Sequence, residues 1–512
     1  MWRGWRAGDD HRRNRAIYDK GRPCHGGSMR VTGPVSDADQ VAAADACFQR
    51  SDTETAEVLL RGVLAREPAR EDAAMLLARV LQSRGRMGAA AQVLLACCQA
   101  NAFTPGLCLR CVWFVRQCDR HRVAEQICRE AMARPGAPPE LLLLAGHIAR
   151  ESGDFTAARS RYVAALEAGV DLDRHHVLGA LANTRRYTDA ADPEIARFAA
   201  YFGDAHHPPR PRASAGFALA KAQGDLAKYA EAAPTLRAAN AMVRAAQPWD
   251  ARAWERFVGV RRQERVAAAS AGADSAFRPV FIVGVPRTGT TLTASLLAHA
   301  TGARDRGELR ALRFIAGQLV AGKHLGSRLA LDESASLYRM LAVQDDAPAP
   351  YYLDQDPLNF RWLHIVAALF PQARVIHLRR SPRDTALSLW CQDFAYPEMA
   401  FAYGFDTIAA FMAGEDALMR HWCETLPVPV FELEYEDLVG DADATLVRLR
   451  AFIGAPARAG GAATLEDAPV QSASVWQARQ PVYTTSVGRW RHYLPFESGL
   501  ARFAESTSRP KT

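Results

Sequence analysis

A spacing of 34 residues recurs in the first half of this 512-residue chain and restricts how that half can fold. Alanine stands at four successive positions with this spacing. The residues 12 positions before these alanines are mostly small, those four positions after them are mostly bulky, and those seven positions after them are mostly small. These sets are Ala56, Ala90, Ala124, Ala158; Ala44, Ala78, Val112, Gly146; Leu60, Leu94, Cys128, Tyr162; and Val63, Cys97, Ala131, Ala165. Small residues let paired helices approach closely, so the spacing predicts stacked helical hairpins.

The turns and the length of the array fit the same interpretation. Gly85 and Gly153 fall where paired helices would turn, and the period resembles that of tetratricopeptide repeats, although several units lack the usual early aromatic residue. A fifth helical pair is predicted after the break at residues 206–209, with its turn near residues 224–225. Residues 241–275 then predict a helix followed by a linker.

The pattern changes near residue 278. Residues 279–284 are a short β-branched run ending in glycine, and residues 374–378 and 428–433 also predict strands. Helical stretches are predicted at residues 291–300, 360–370 and 382–390. Strands that alternate with helices indicate a parallel α/β sheet.

The segment from Gly284 to Thr291 follows the first strand and opens a helix, which points backbone N–H groups at a bound anion. Its spacing matches a Walker A loop, except that Thr290 replaces the lysine that a nucleotide triphosphatase needs. No apolar strand ends in a convincing Walker B aspartate. The cation lies instead within the loop, as Arg287, and a group less charged than a triphosphate suits this arrangement.

Residues 285–292 resemble the 5'-phosphosulfate loop of the PAPS-dependent sulfotransferases, where PAPS is 3'-phosphoadenosine-5'-phosphosulfate. Residues 378–388 resemble the same family's 3'-phosphate motif, an arginine at a strand end and a serine eight residues later, here Arg380 and Ser388. Two helical turns return the serine hydroxyl to the anion that the arginine faces. The two motifs stand in order and about 90 residues apart, which is more specific than either alone.

Two further segments extend the resemblance over about residues 278–495. Residues 431–438 resemble the family's strand-to-helix segment with a nucleotide-facing tyrosine, and residues 486–490 resemble the segment that closes over the nucleotide. With the repeats, the chain is similar to bacterial tetratricopeptide-repeat sulfotransferases. The resemblance implies that PAPS is bound by Arg287, Thr288, Gly289, Thr290, Thr291, Arg380, Ser388, Tyr435 and Arg489.

The resemblance also implies catalytic roles for Glu308 and Arg287. Relatives similar to protein-tyrosine sulfotransferases carry a base glutamate in a Gly-Glu pair, which matches Gly307 and Glu308. A carboxylate in a partly dry site can have a raised pKa and accept a hydroxyl proton, while the arginine neutralises charge on the leaving oxygens. This chemistry requires no metal.

One residue departs from the family pattern in a way that should lower the rate of sulfuryl transfer. The family commonly carries Asp-Lys-x-Pro-x-Asn, whereas residues 354–359 here place Gln355 at the lysine position. Glutamine brings no charge, and losing one electrostatic donor costs on the order of 10²-fold in rate. A scaffold protein with a nucleotide-binding but weakly active or inactive domain is therefore the alternative to an active enzyme.

Composition bounds the remaining possibilities. A formal charge of +7 is mild for this length and does not favour nucleic-acid binding. No stretch is long and apolar enough to predict a membrane span or a signal core, and ten scattered cysteines favour a reduced, cytoplasmic setting. Cys108 and Cys111 are expected at buried helix positions rather than on a metal.

The length predicts more than one domain. We expect a disordered tail at residues 1–36, tetratricopeptide-like helical repeats at 37–265, a P-loop-like parallel-sheet sulfotransferase domain at 278–495 and a tail at 496–512. Met29 is a hypothetical alternative start of translation. The favoured function is sulfuryl transfer from PAPS to a hydroxyl or amine acceptor, with the repeats recognising the acceptor or a partner protein. A small-molecule kinase is a third hypothesis, which Thr290 disfavours.

Overall fold

The structure, a computed structural model, describes residues 36–264, 276–394, 396–456 and 486–505. Residues 1–35 of the predicted tail, which include the alternative start, and residues 265–275, at the end of the stretch in which a linker is predicted, lie outside the described residues. The chain forms two compact units, divided between Leu144 and Ala145, and Gln344–Asp346 belong to the first unit. The predicted domain bounds remain a prediction beside this division.

Helical hairpins build the N-terminal part of the chain. The helices are α1 (Asp37–Gln49), α2 (Thr53–Arg66), α3 (Glu71–Ser83), α4 (Met87–Ala100), α5 (Pro105–Gln117), α6 (His121–Met132), α7 (Pro139–Glu151) and α8 (Phe155–Glu167). The odd-numbered helices begin at residues 37, 71, 105 and 139 and the even-numbered ones at 53, 87, 121 and 155, so both series advance by 34 residues.

The predicted repeat positions are buried. Ala56, Ala90, Ala124 and Ala158 are each 0% exposed, and the bulky set beside them is 0–1% exposed. Gly146 shows why small residues are needed, because a Cβ atom there would lie 2.5 Å from the ring of Tyr162. The helical-repeat prediction is confirmed.

The helices continue as α9 (Leu172–His175), α10 (Val177–Ala182), α11 (Pro193–Gly203), α12 (Pro209–Asp225), α13 (Tyr229–Ala246) and α14 (Ala251–Arg261). Helices α12 and α13 are the predicted fifth pair, and their turn follows Asp225. We call them the α12–α13 hairpin. These helices belong to the second compact unit, together with the α/β part of the chain.

Five strands form the α/β part. In chain order the elements are β1 (Pro279–Gly284), α15 (Thr290–Thr301), β2 (Arg304–Asp305), α16 (Ala311–Ala321), α17 (Arg328–Val343), β3 (Tyr352–Asp354), a 3₁₀ helix (Pro357–Trp362), α18 (Leu363–Leu369), β4 (Arg374–Arg379), α19 (Pro382–Trp390), a 3₁₀ helix (Pro397–Tyr403), α20 (Phe405–Thr425), β5 (Val430–Glu434), α21 (Tyr435–Gly440), α22 (Ala442–Ile453), α23 (Trp490–Tyr493) and a 3₁₀ helix (Ser498–Arg502).

The sheet has the order β2-β3-β1-β4-β5, and every neighbouring pair is parallel. All six residues of β1 are buried, as its central position requires. Because the chain leaves β1 toward one side of the sheet and leaves β4 toward the other, the carboxyl ends of these two strands border a crevice suited to ligands. The predicted combination of helical repeats and a parallel sheet is confirmed.

Residues 496–505, which the sequence assigns to a tail, pack against the α/β part. They include the 3₁₀ helix at Ser498–Arg502, and Leu500 and Phe503 are buried. The side chain of Arg383 donates to the carbonyl oxygen of Phe503 at 2.9 Å. The ordered chain therefore extends past the predicted boundary at residue 495.

Candidate functional site

The loop between β1 and α15 is shaped by two glycines. A Cβ atom at Gly284 would lie 2.4 Å from the carbonyl oxygen of Leu378 in β4, and one at Gly289 would lie 2.6 Å from the ring of Tyr435. Their φ angles of 149° and 110° also favour glycine. The loop can therefore pass close to β4 and to the start of α21.

The loop leads directly into the first turn of α15. Thr288, Thr290 and Thr291 are buried, and the hydroxyl of Thr288 donates to the carbonyl oxygen of Val285 at 2.8 Å. Gly289 is the N-cap of α15 and has no side chain that could cap the helix. The helix start thus offers donors to an anion in the crevice.

Arg287 is the meeting point of the two predicted anion motifs. Its Nε donates to the Ser388 hydroxyl at 3.2 Å, and its carbonyl oxygen accepts from the Arg380 guanidinium at 3.1 Å. Its φ of 77° is left-handed, which is uncommon for a residue with a side chain and is typical of functional sites. Three residues that lie up to 101 positions apart in the sequence are thereby brought together.

Local sequence explains how α19 presents Ser388. Ser381 is the N-cap and Pro382 occupies the first turn, where its fixed φ suits the start of a helix. Arg380 immediately precedes this cap, at the end of β4. Two helical turns then return the Ser388 hydroxyl to the same side.

Arg380 has a well-defined environment. Its guanidinium lies 4.5 Å from the centre of the Tyr435 ring and donates to the carbonyl oxygen of Ser486 at 2.8 Å. The hydroxyls of Tyr435 and Ser486 lie 2.9 Å apart. The Nε of Arg380 is buried and has no hydrogen-bond partner among the described residues, so it retains a donor for a further acceptor.

Arg489 follows the segment that carries Ser486. The carboxylate of Asp384 in α19 accepts from the backbone N–H groups of Gly488 at 2.7 Å and Trp490 at 3.3 Å, which holds this segment against α19. The Arg489 guanidinium lies 5.6 Å from the centre of the Tyr493 ring. Arg489 is thus placed on the side of the α12–α13 hairpin, whereas Arg287, Arg380, Ser388 and Tyr435 form one connected group.

Glu308 lies beyond β2, in a short loop fastened to the neighbouring strand β3. The backbone N–H of Gln355 donates to the carbonyl oxygen of Gly307 at 2.9 Å, and that of Arg306 donates to the carbonyl oxygen of Leu353 at 2.9 Å. Gly307 has a φ of 63°, which lets the loop turn at this point. Glu308 therefore directly follows two residues that backbone hydrogen bonds hold to the β3 region.

The electrostatic environment of Glu308 favours its neutral form. Burial, reinforced by the charge of Asp356, raises the pKa of Glu308 to about 8, although Arg310, Arg287 and Arg313 act in the opposite direction. Because the charge of Arg287 affects the pKa of Glu308, Glu308 is electrostatically coupled to the loop between β1 and α15. A carboxyl group with a pKa near the working pH is suited to accepting a proton.

The carboxyl groups next to Glu308 are also buried. The Tyr338 hydroxyl donates to Asp354 at 2.8 Å, and burial raises the pKa of Asp354 well above its usual range. Burial likewise raises the pKa of Asp356, whose carboxylate accepts from the backbone N–H of Leu358 at 3.0 Å. The surroundings of Glu308 are therefore a cluster of buried carboxyl groups.

Gln355 lies within this cluster and is 2% exposed. Its side-chain amide lies 3.5 Å from the carboxylate of Asp305, and its Oε1 has no hydrogen-bond partner in the part of the chain that the structure describes. A neutral side chain thus occupies the position where the family commonly carries lysine.

Three contributors to the site escaped sequence reasoning. Asp356 changes the pKa of Glu308, Asp384 holds the segment around Gly488, and the carbonyl oxygen of Ser486 accepts from Arg380. Asp356 stands at a variable position of the motif, and the other two act over more than 100 residues, so local patterns give no signal for them.

Within residues 36–264, 276–394, 396–456 and 486–505, no cluster of three or more His, Cys, Asp or Glu side chains is arranged to hold a metal ion. In the same ranges, no helix has the length and apolar character needed to cross a membrane.

Comparison with known proteins identifies the α/β part. Residues 279–459 match the model of the sulfotransferase family. This region is a sulfotransferase-family domain. The match begins at β1 and includes the anion loop, Glu308, Arg380, Ser388 and Tyr435, but it ends before Arg489.

Individual relatives cover parts of the chain. An uncharacterised protein of Aquifex aeolicus is 30% identical over 316 residues, which are 56% of this chain and 40% of that protein. Protein-tyrosine sulfotransferase 1 of Mus musculus is 30% identical over 122 residues, which are 22% of this chain and 33% of that protein. The chain thus spans well under half the length of either relative.

Among solved structures, the sulfotransferase domain from the curacin biosynthetic pathway is similar, with 16% identity and a TM-score of 0.27. That alignment covers 45% of this chain and 98% of the solved domain.

Proposed function

We propose that this protein transfers a sulfuryl group from PAPS to a hydroxyl or amine acceptor. The observation that carries the proposal is the convergence of Arg380 and Ser388 on Arg287, because it joins a phosphate loop to a second cationic position. A donor with a 5'-phosphosulfate and a separate 3'-phosphate has two anionic groups that match these two positions.

The available hydrogen-bond donors support a fit to this nucleotide. Arg380 has a buried Nε without a partner among the described residues, and its planar guanidinium suits phosphate oxygens. The uncapped start of α15, with Thr290 and Thr291, would hold the 5'-phosphate. Tyr435, beside Arg380, would face the nucleotide, and Arg489 would belong to the segment that closes over it.

The proposed reaction is a direct displacement at sulfur. The acceptor oxygen or nitrogen forms a bond to sulfur while the bond between sulfur and the bridging phosphate oxygen breaks. The Glu308 carboxylate takes the acceptor proton, and Arg287 neutralises charge on the departing phosphate. The products are the sulfated acceptor and adenosine 3',5'-bisphosphate.

The helical repeats would recognise the acceptor, the molecule that carries it, or a partner protein. Stacked hairpins present extended surfaces that suit such a role. A cytoplasmic location remains a prediction from the scattered cysteines.

One observation favours a second candidate, a repeat-based scaffold with little or no transfer activity. Gln355 is buried among the carboxyl groups around Glu308 and supplies no positive charge there. Such a protein would bind the nucleotide without turning it over.

Titration calorimetry with adenosine 3',5'-bisphosphate in the absence of Mg²⁺ tests the donor site. We expect binding by the unmodified protein and a loss of about 10²-fold in affinity for Arg380→Ala, because charged hydrogen bonds to a phosphate contribute about 1.5–3 kcal/mol each. Arg379→Ala is a matched control, since Arg379 faces Glu432 and Glu434 at 3.6 and 3.5 Å. Equal weakening by both variants, or binding only of ATP with Mg²⁺, would refute the proposal.

A further inference from the structure

The C-terminal segment of residues 486–505, here called the closing segment, is packed on two sides. It contains Ser486, which accepts from Arg380, and Arg489. Its regular elements are α23, with four residues, and a 3₁₀ helix, with five. Elements this short do not hold their shape alone, so the closing segment depends on what packs against it.

One side of the closing segment packs on the sulfotransferase-family domain. Asp384 accepts two of its backbone N–H groups, and the Arg383 guanidinium lies 4.4 Å from the centre of the Trp490 ring. Arg383 also pairs with Glu505 at 2.8 Å. These contacts join the closing segment to α19, the helix that carries Ser388.

The closing segment also packs on the α12–α13 hairpin. The ring of Tyr229 stacks on His492, with centres 4.9 Å apart and planes 9° apart, and meets the edge of the Tyr493 ring at 5.1 Å. Arg237, two turns along α13, donates to the carbonyl oxygen of Phe496 at 3.1 Å and pairs with Glu497 at 2.5 Å. Helix α13 therefore contacts the closing segment along several residues.

Helix α12 approaches the closing segment where Arg489 lies. A Cβ atom at Gly224 would lie 2.8 Å from the Tyr493 hydroxyl and 3.5 Å from the Arg489 guanidinium. A side chain larger than that of glycine would therefore force the Tyr493 hydroxyl to shift, whereas its contact with Arg489 would be an ordinary one. The hairpin also reaches α19 itself, because the buried amide of Asn240 donates to the carbonyl oxygen of Trp390 at 3.0 Å.

We propose that the α12–α13 hairpin positions the closing segment over the donor nucleotide, so that Tyr229 and Gly224 act as positioning residues for donor binding. This inference rests on the proposed function, because it takes the nucleotide to lie beneath the closing segment. The last hairpin of the helical part is then a component of the donor site, although the proposal requires no contact between its side chains and the nucleotide.

Four variants of the full chain test the inference. Calorimetry with adenosine 3',5'-bisphosphate should show a roughly three- to tenfold weaker affinity for Tyr229→Ala, the range expected when an aromatic stacking contact is lost. Tyr229→Phe keeps the ring and should bind as the unmodified protein does. Gly224→Ala should weaken binding through its added methyl group. Arg244 lies in α13, as Tyr229 does, but it pairs with Asp406 in α20, so Arg244→Ala should leave the affinity unchanged.

Hydrogen exchange separates positioning from a general loss of stability. Tyr229→Ala should raise amide exchange in residues 486–496, while exchange in β1 and β4 stays as in the unmodified protein. Steady-state kinetics should show a higher KM for PAPS with kcat retained. Faster exchange throughout the sheet would mean a structural role only and would overturn the inference, and Gly224→Ala supplies an independent reading if Tyr229→Ala does not fold.

The outcomes distinguish this inference from the proposed function. If the unmodified protein binds the nucleotide, Arg380→Ala weakens binding by about 10²-fold, and both Tyr229→Ala and Gly224→Ala bind normally, the inference is wrong and the proposed function stands. If the unmodified protein does not bind the nucleotide, both are wrong.

Discussion

The two sides of the candidate site consist of different kinds of chemical groups. The side around Arg287 and Arg380 consists of cations and backbone N–H groups, held by hydrogen bonds of 3.1 and 3.2 Å that connect the loop carrying Arg287 to residues 380 and 388. The side around Glu308 consists of buried carboxyl groups with raised pKa values. Donor affinity should depend on the first side and turnover on the protonation of the second, so the two quantities should respond to different substitutions.

Glu308→Gln should separate the two sides most clearly. The substitution keeps the shape but removes the base, and we expect kcat to fall by about 10²–10⁴-fold. Affinity for adenosine 3',5'-bisphosphate should stay within about twofold. Sulfate transfer assays with a panel of hydroxyl and amine acceptors, run beside calorimetry, make the comparison.

Glu398→Gln is the control for this substitution, because Glu398 pairs with Arg313 at 2.7 Å without being assigned to the reaction. Near-normal turnover in Glu308→Gln would refute the base assignment. A parallel loss of nucleotide affinity would show that the two sides are not independent.

Gln355→Lys should have the next largest effect. A lysine would restore the charge that the family commonly has, and we expect kcat to rise on the order of tenfold, since one electrostatic donor contributes about 10²-fold or more where it is well placed. Transfer rates at saturating PAPS measure the gain. Turnover in neither protein, with nucleotide binding in both, would favour the scaffold function.

Asp356→Asn should give the smallest effect, a shift in pH dependence. The pKa of about 8 for Glu308 is partly due to the charge of Asp356, and a base is active when deprotonated, so kcat/KM should rise with pH toward about 8. Removing that charge lowers the pKa of Glu308 and should move the rising limb about one pH unit lower. A pH profile of kcat/KM for both proteins checks this, and an unchanged limb would contradict it.

Much of the fold could be predicted from the sequence because its signals are local or periodic. The buried alanines mark helices whose starts recur every 34 residues, and β1 and α19 were predicted with the bounds that the structure shows. The approach of Arg380 and Ser388 to the glycine loop could also be predicted, because glycine spacing and an arginine at a strand end have direct physical reasons.

The rest depends on contacts that no local pattern encodes. Strands β2 and β3 have two and three residues, too few to show a period, yet they hold the loop that carries Glu308. The bond between Asp384 and Gly488 spans 104 residues, and the stacking of Tyr229 on His492 joins segments that the sequence assigns to different domains. Such pairings become visible only once the chain is folded.

The constant spacing of the helix starts has a consequence for how proteins of this design can diverge. Because each unit of 34 residues repeats the same buried positions, a whole unit can be gained or lost by duplication or deletion without a new set of core residues. The α12–α13 hairpin lacks this freedom, since it is committed to the closing segment. Growth and shortening should therefore occur among the earlier hairpins, while the last one evolves together with the sulfotransferase-family domain.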